Sequence, residues 1–239
     1  MTFKFLKRVL TTFRYAMFII FGVLSVSGTA SATLIEAIAN LNEGDNYRVV
    51  FVTSTGRTAT STDINVYNNF VSNVARNGSV TSTLGLEWAA LASTSTINAQ
   101  VNTGISSLDN RAVTIFSTFG DIIATSGQDL WNGTLMNPII YNEAAIRGRG
   151  TYVWTGINSI GAFMSDYELG SLYPMSGDSG EDHHVWSSTY RFHQLYPWSL
   201  YGISNEITKP IVNVPSPGTI ILLSMGLAGL SFTRYRRQS

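Results

Sequence analysis

The chain has 239 residues, no cysteine and a formal net charge of zero, from fifteen basic and fifteen acidic residues. Four of the basic residues precede position 33 and three follow position 233, so the stretch between carries eight basic against fifteen acidic residues, a net of −7. An acidic body argues against nucleic acid or an anionic membrane surface as its partner, and without cysteine no disulfide holds the fold.

In chain order, Lys4, Lys7, Arg8 and Arg14 precede an apolar run over residues 16–26, and Ala30, Ser31 and Ala32 offer an A-x-A site. That is the layout of a secretory signal peptide over residues 1–32, cut before Thr33, and it implies passage through export machinery. Residues 33–213 form the expected extracellular body, of a size that suits one domain with its own core. The run YRVVFVT at 47–53 predicts a strand, ended by Ser54, Thr55 and Gly56. Thr62 can cap a helix whose apolar residues Tyr67, Phe70, Val71 and Val74 fall at i, i+3, i+4 and i+7, with Asn77 and Gly78 closing it. Residues 86–91 carry Trp88 inward as a strand or short helix. Residues 112–123 predict a hairpin turning at Phe119, Gly120 and Asp121, and Asn132 with Gly133 predicts a turn before the apolar run 136–141. A short strand is expected at 152–155, an irregular stretch at 156–186, and a closing strand, WSLYGIS, at 198–204.

The remaining segment, 214–239, joins Val214, Pro215, Ser216, Pro217 and Gly218 to an apolar run ending at Phe232, then Arg234, Arg236 and Arg237. As a helix the apolar part rises about 22 Å at roughly 1.5 Å per residue, short of the roughly 30 Å hydrocarbon core of a bilayer. It is expected to be a short C-terminal hydrophobic, transmembrane helix, its arginines holding the terminus on the cytoplasmic side and the body outside. The three-part pattern resembles the PEP-CTERM sorting signal of exported bacterial proteins, with Ser216 where glutamate most often stands between the prolines. The resemblance implies a C-terminal sorting and processing protease as partner, location at the cell envelope or extracellular surface with at least transient membrane anchorage, and association with an extracellular polysaccharide matrix.

The order of the body's elements gives an α+β, β-rich single domain with one main amphipathic helix, the alternative being a β-sandwich. Residues 112–116 (AVTIF) before a Gly-Asp turn, Val153-Trp-Thr-Gly156, and the late aromatic strand ending near Asn205 together resemble the C-type-lectin-like fold, especially its endostatin-like branch. That resemblance implies pairing of the first and last strands, here 47–53 with 198–204; the family usually carries disulfides, which this chain lacks.

Candidate chemistry is sparse. Gly177, Asp178, Ser179 and Gly180 match the sequence around the nucleophile of trypsin-like proteases, yet His183, His184 and His193 all follow the serine, the wrong order for that family's triad. With no other catalytic motif present, no enzymatic role is expected. Asp178, Glu181, Asp182, His183 and His184 form the densest group of ligand-type side chains, able as a loop to hold calcium through oxygen donors or, with His193, zinc; a solvated loop is the plainer alternative. Calcium is also what a lectin-like resemblance implies there. Trp186, Tyr190 and Trp198 are candidates for stacking on sugar rings, against the plainer role of core packing. Two functions follow: an exported, surface-sorted, non-catalytic structural or interaction protein, or a carbohydrate-binding lectin-like module with its site in the loop from Asp166 to Trp186.

Overall fold

The computed structural model describes residues 29–162 and 164–211. The signal-peptide segment before residue 29 and the sorting motif with its arginines lie outside the described residues. Among those described, no helix is long and apolar enough to cross a membrane. This corrects the expected transmembrane helix, and with it the membrane-anchored placement, which rested on residues 214–239.

The domain is a mixed α+β unit built on one eight-stranded sheet, not on two sheets packed face to face, so the sandwich alternative is set aside. Strands β1 (Asn46–Val52), β2 (Trp88–Ala90), β3 (Val113–Ser117), β4 (Ile122–Ala124), β5 (Tyr152–Trp154), β6 (Ser176–Asp178), β7 (Ser199–Ser204) and β8 (Ile207–Thr208) are joined by four helices. These are α1 (Thr29–Ala39), α2 (Ile64–Asn77), α3 (Ala99–Thr103) and α4 (Gly127–Leu130). The main path through the sheet runs β4-β3-β1-β7-β5-β6. Strand β1 is parallel to β3, Asn46 facing Val113 and Val50 facing Ser117. On its other side β1 is antiparallel to β7, with Val50 opposite Ile203 and Val52 opposite Tyr201. This is the first-to-last pairing expected for residues 47–53 and 198–204.

The reason β1 sits centrally is in its composition. Side chains alternate across a strand, and here both alternating sets are apolar: Val49 and Phe51 join one core cluster, Val50 and Val52 the other. All four are 5 % exposed or less. At roughly 1.5–3 kcal/mol for each fully buried side chain of this kind, the strand is stable only when both sheet faces are covered. Helix α2 covers one face through Ile64, Tyr67, Val71 and Ala75, while Phe70 and Val74 are only partly buried. Its cap is Asp63, whose carboxylate accepts from the Asn65 N–H at 3.0 Å, one residue beyond the expected Thr62. The other face is filled by Trp131, Trp186, Ile139 and their neighbours.

Gly202 sets the distance between α2 and the sheet. A Cβ there would lie 2.6 Å from both the Phe51 ring and Val71 Cγ1, so only hydrogen lets helix and sheet approach this closely. The inner end of β1 carries the opposite device, a buried arginine. Arg48 donates to the carbonyls of Thr103 (3.1 Å) and Ser204 (2.9 Å) and lies 3.6 Å from Glu206. Burial lowers its pKa, and the Glu206 carboxylate opposes that shift.

The hairpin of β3 and β4 turns as expected, because the Ser117 hydroxyl accepts from the N–H groups of Phe119, Gly120 and Asp121. Residues 86–91 supply strand β2. The run at 136–141 forms no strand: it contains Pro138, which has no N–H to give a ladder, although Ile139 and Ile140 are buried. Helix α1 was not expected. It spans the predicted cut before Thr33 and seats Leu34 in the core at 1 % exposure.

Gly202→Ala should destabilise the fold by about 2 kcal/mol, in the range for overpacking a core, read as a lower urea midpoint with an unchanged denaturant slope. Tyr67 gives a pH prediction. Its hydroxyl donates to the Ser61 carbonyl at 2.8 Å and accepts from the Ser61 N–H at 2.9 Å, and burial pushes its pKa from 10.0 up to about 12. Because the folded value is the higher one, the stabilisation is whole below about pH 10 and is lost as pH rises through about 12. Thermal melts between pH 9 and 12 should show that loss, and Tyr67→Phe should flatten it.

Candidate functional site

The site is organised by a short pairing of residues 172–176 with residues 189–194. Ser176 N–H donates to Tyr190 O at 2.8 Å, Thr189 N–H to Ser176 O at 2.7 Å, and Met175 bridges Arg191. Alternation along the second segment then sends Tyr190 and Phe192 to one side and Arg191 to the other.

On the first side the rings gather. Phe192 packs edge-on to Trp198 at 4.2 Å, Tyr152 lies 5.0 Å from Trp198 and 4.9 Å from Phe192, and Tyr196 stacks on Trp198 at 5.4 Å. Trp154 closes the base, 4.6 Å from Trp198, and its indole N–H donates to Tyr196 O at 3.0 Å. Trp198 is half-buried inside this group, whereas Tyr190 (60 % exposed) and Tyr196 (51 %) stand at its surface. Trp186 is elsewhere. It is fully buried, stacked 6.0 Å from Trp131 and 5.9 Å from Tyr201, and offers no face to a sugar. Of the three rings expected to stack on sugar, only Tyr190 is well exposed.

On the second side, Arg191 lies 4.5 Å over the Tyr167 ring and borders an open cleft of about 730 Å³. Thr62, Asp166, Glu168, Ser171 and Tyr173 complete its polar lining. The loop that supplies them is fastened at several points: Leu169 is fully buried and its N–H donates to Ser93 O at 2.9 Å, and the Gly170 N–H donates to Ala59 O at 2.8 Å. Gly170 has φ +95°, and a Cβ would lie 2.6 Å from Thr62 Cγ2 and 2.9 Å from Ser61 O. Asp166 holds a left-handed φ of 70°, a conformation costly for a residue other than glycine. On the residues lining this cleft, Glu168 Oε2 and Ser171 Oγ are shielded from solvent and have no hydrogen-bond partner among the described residues. Buried polar atoms normally have a partner, so these two oxygens are exceptions on the loop that lines the cleft.

The acidic and histidine-rich loop is arranged differently from the expected ligand set. Asp178 ends β6, its Oδ1 accepting from the Gly180 N–H at 2.8 Å. His183 Nδ1 lies 3.2 Å from Glu181 and 3.6 Å from Asp182, all three about half exposed, and the His183 and His184 rings meet edge-on at 5.3 Å. His193 is apart, against Tyr173 at 5.7 Å. Among the described residues no group of three or more His, Asp or Glu side chains is placed to hold a metal ion. The reason is geometric: Asp178 is fixed in a strand end and turns its acceptor to its own loop, leaving the others on a solvated surface.

The Gly-Asp-Ser-Gly segment has a packing role. A Cβ on Gly177 would lie 1.9 Å from Trp186 O, and Ser179, 1 % exposed, accepts from the Thr151 N–H at 3.0 Å. No hydrogen bond joins Ser179 to any of the three histidines, so no nucleophile is activated there.

Asp166, Glu168, Ser171 and Tyr173 all fall in the stretch from Asp166 to Trp186 expected to hold a ligand loop, whereas Arg191 lies beyond it, and none of the five carries a motif in the sequence. What assembles them is long-range backbone pairing, Gly170 with Ala59 and Met175 with Arg191, which no local spacing reveals. Comparison with family models and with curated proteins matches none of them to this chain.

Proposed function

We propose that the protein is an exported, non-catalytic interaction protein that binds carbohydrate in the cleft between Asp166 and Arg191. The observation that carries this reading is the open cleft of about 730 Å³ that sets the exposed Tyr173 beside Asp166, Glu168 and Arg191. A saccharide supplies hydroxyl donors to the carboxylates that line the cleft and an apolar ring face to Tyr173, and binding sites commonly combine a few placed polar groups with aromatic walls. The guanidinium of Arg191, 4.5 Å over the Tyr167 ring, adds a planar set of donors. Recognition by side chains alone needs no calcium, in keeping with the open arrangement of the residues at 178–184.

The wider reading is a C-type-lectin-like module, supported by the antiparallel pairing of β1 with β7 and the single main helix after the first strand. The leader pattern at 1–32 and the Pro-Ser-Pro with its arginines at 215–237 support export, with a C-terminal processing protease and an extracellular polysaccharide as partners.

Binding of the full chain to neutral oligosaccharides, followed by isothermal titration, tests the cleft. Glu168→Gln and Tyr173→Ala should each weaken binding about tenfold or more, about 1.4 kcal/mol, and a chelator should leave it unchanged. Absence of binding, or equal affinity in both variants, would overturn the reading. Export is tested by the intact mass of the protein recovered from its producing cell, which should lack residues 1–32; a mass retaining them would count against the leader.

A further inference from the structure

We infer that a second groove, at the opposite end of β5 from its Trp154 terminus, is an anion site for the carboxylate groups of an acidic, uronate-bearing glycan, held by Arg147 and Arg149. The inference extends the carbohydrate reading to a different surface and does not use the cleft residues. The groove, about 310 Å³, runs between the end of β1 (Val52, Thr53, Ser54) and residues 146–151, with Ser179 and Ser199 along its floor. Its cations are distinctive in an acidic body. Among the described residues, Arg48 and Arg111 pair with Glu206, Arg76 is bonded to Asn73, Arg57 and Arg191 lie over Tyr67 and Tyr167, and Lys209 is bonded to the carbonyls of Ala39 and Leu41. Arg147 and Arg149 alone have guanidinium groups with no hydrogen bond, ion pair or ring partner there, and both are exposed on the same groove.

The carboxylates nearby are already committed. Glu143, 8 % exposed, accepts from the Ser54 N–H at 3.0 Å and from the Ser54 hydroxyl, and Asp178 accepts from the Gly180 N–H. Among the described residues the Ser199 hydroxyl has no hydrogen-bond partner, and Ser199 lines the same groove, adding a neutral donor. The segment bearing the arginines is tethered on both sides: Gly148 N–H donates to Ile140 O at 2.9 Å, Tyr141 bridges Arg147, and Thr151 N–H donates to Ser179 Oγ at 3.0 Å. Tyr141 in turn stacks on Phe119 at 4.7 Å. Two guanidinium forks on a fixed backbone suit planar, two-oxygen carboxylates, which accept paired hydrogen bonds from arginine. Successive uronate residues of one chain would meet them in turn.

The test compares a galacturonate oligosaccharide with its fully methyl-esterified, uncharged counterpart, on the full chain. The acid form should bind at least tenfold more tightly, the preference should shrink as salt is raised, and Arg147→Gln with Arg149→Gln should abolish it while leaving the melting temperature and any binding of the ester intact. No binding of the acid form, equal affinity for acid and ester, or a preference that survives the double substitution would each overturn the inference. Inorganic sulfate competing as well as the oligosaccharide itself would also overturn it, because the groove would then recognise a lone anion and not a glycan. Loss of ester binding in Glu168→Gln reports on the cleft alone, so the two readings fail separately.

Discussion

The pairing of β1 with β7 is the interaction on which the rest of the domain depends. Strand β1 is apolar on both faces, so it needs cover above and below as well as partners on both edges. Strand β7 supplies an edge, and through Gly202 it supplies the narrow gap that lets α2 close one face. The same strand then feeds the functional surfaces, since its start places Trp198 among the rings and Ser199 along the arginine groove. One backbone pairing therefore fixes core thickness, helix position and the geometry of both candidate binding regions.

Much of this architecture was legible from residue pattern, and the exceptions have physical causes. The β-branched and aromatic run at 47–53 signalled a strand, the i, i+3, i+4, i+7 spacing of Tyr67, Phe70, Val71 and Val74 an amphipathic helix, and Phe119 to Asp121 a turn. Strand β6 was hidden because Ser176, Gly177 and Asp178 have no strand propensity; it exists because Tyr152, Val153 and Trp154 offer it a ladder. Helix α1 was masked by the leader pattern that overlaps it. The hydrophobic tail was weighed as a membrane helix by its composition, and among the described residues no element fills that role.

The candidate site was less legible than the fold, and Trp186 shows why. Its surroundings in sequence, acidic residues and histidines, belong to an exposed loop, yet its ring is driven to the core beside Trp131 and Tyr201. Glu168 presents the reverse case: an ordinary carboxylate by sequence, it is half-buried beside the fully buried Leu169, with Oε2 shielded from solvent. Exposure of a polar or aromatic side chain depends on neighbours distant in the chain, and a single sequence does not name them.

The distance along the chain between the central strands has a consequence for how the protein reaches this fold. Val49 bonds the Ser204 hydroxyl across 155 positions, and topologies dominated by such non-local pairing fold slowly, in milliseconds to seconds. Until the last strands have emerged from the ribosome, β1 is a bare apolar edge with neither of its faces fully covered, a hazard for self-association. Residues 49–52 gain their full cover only when β7, the last long strand, has joined β1. Closure of the sheet is therefore a late event, set by the distance along the chain between its two central strands.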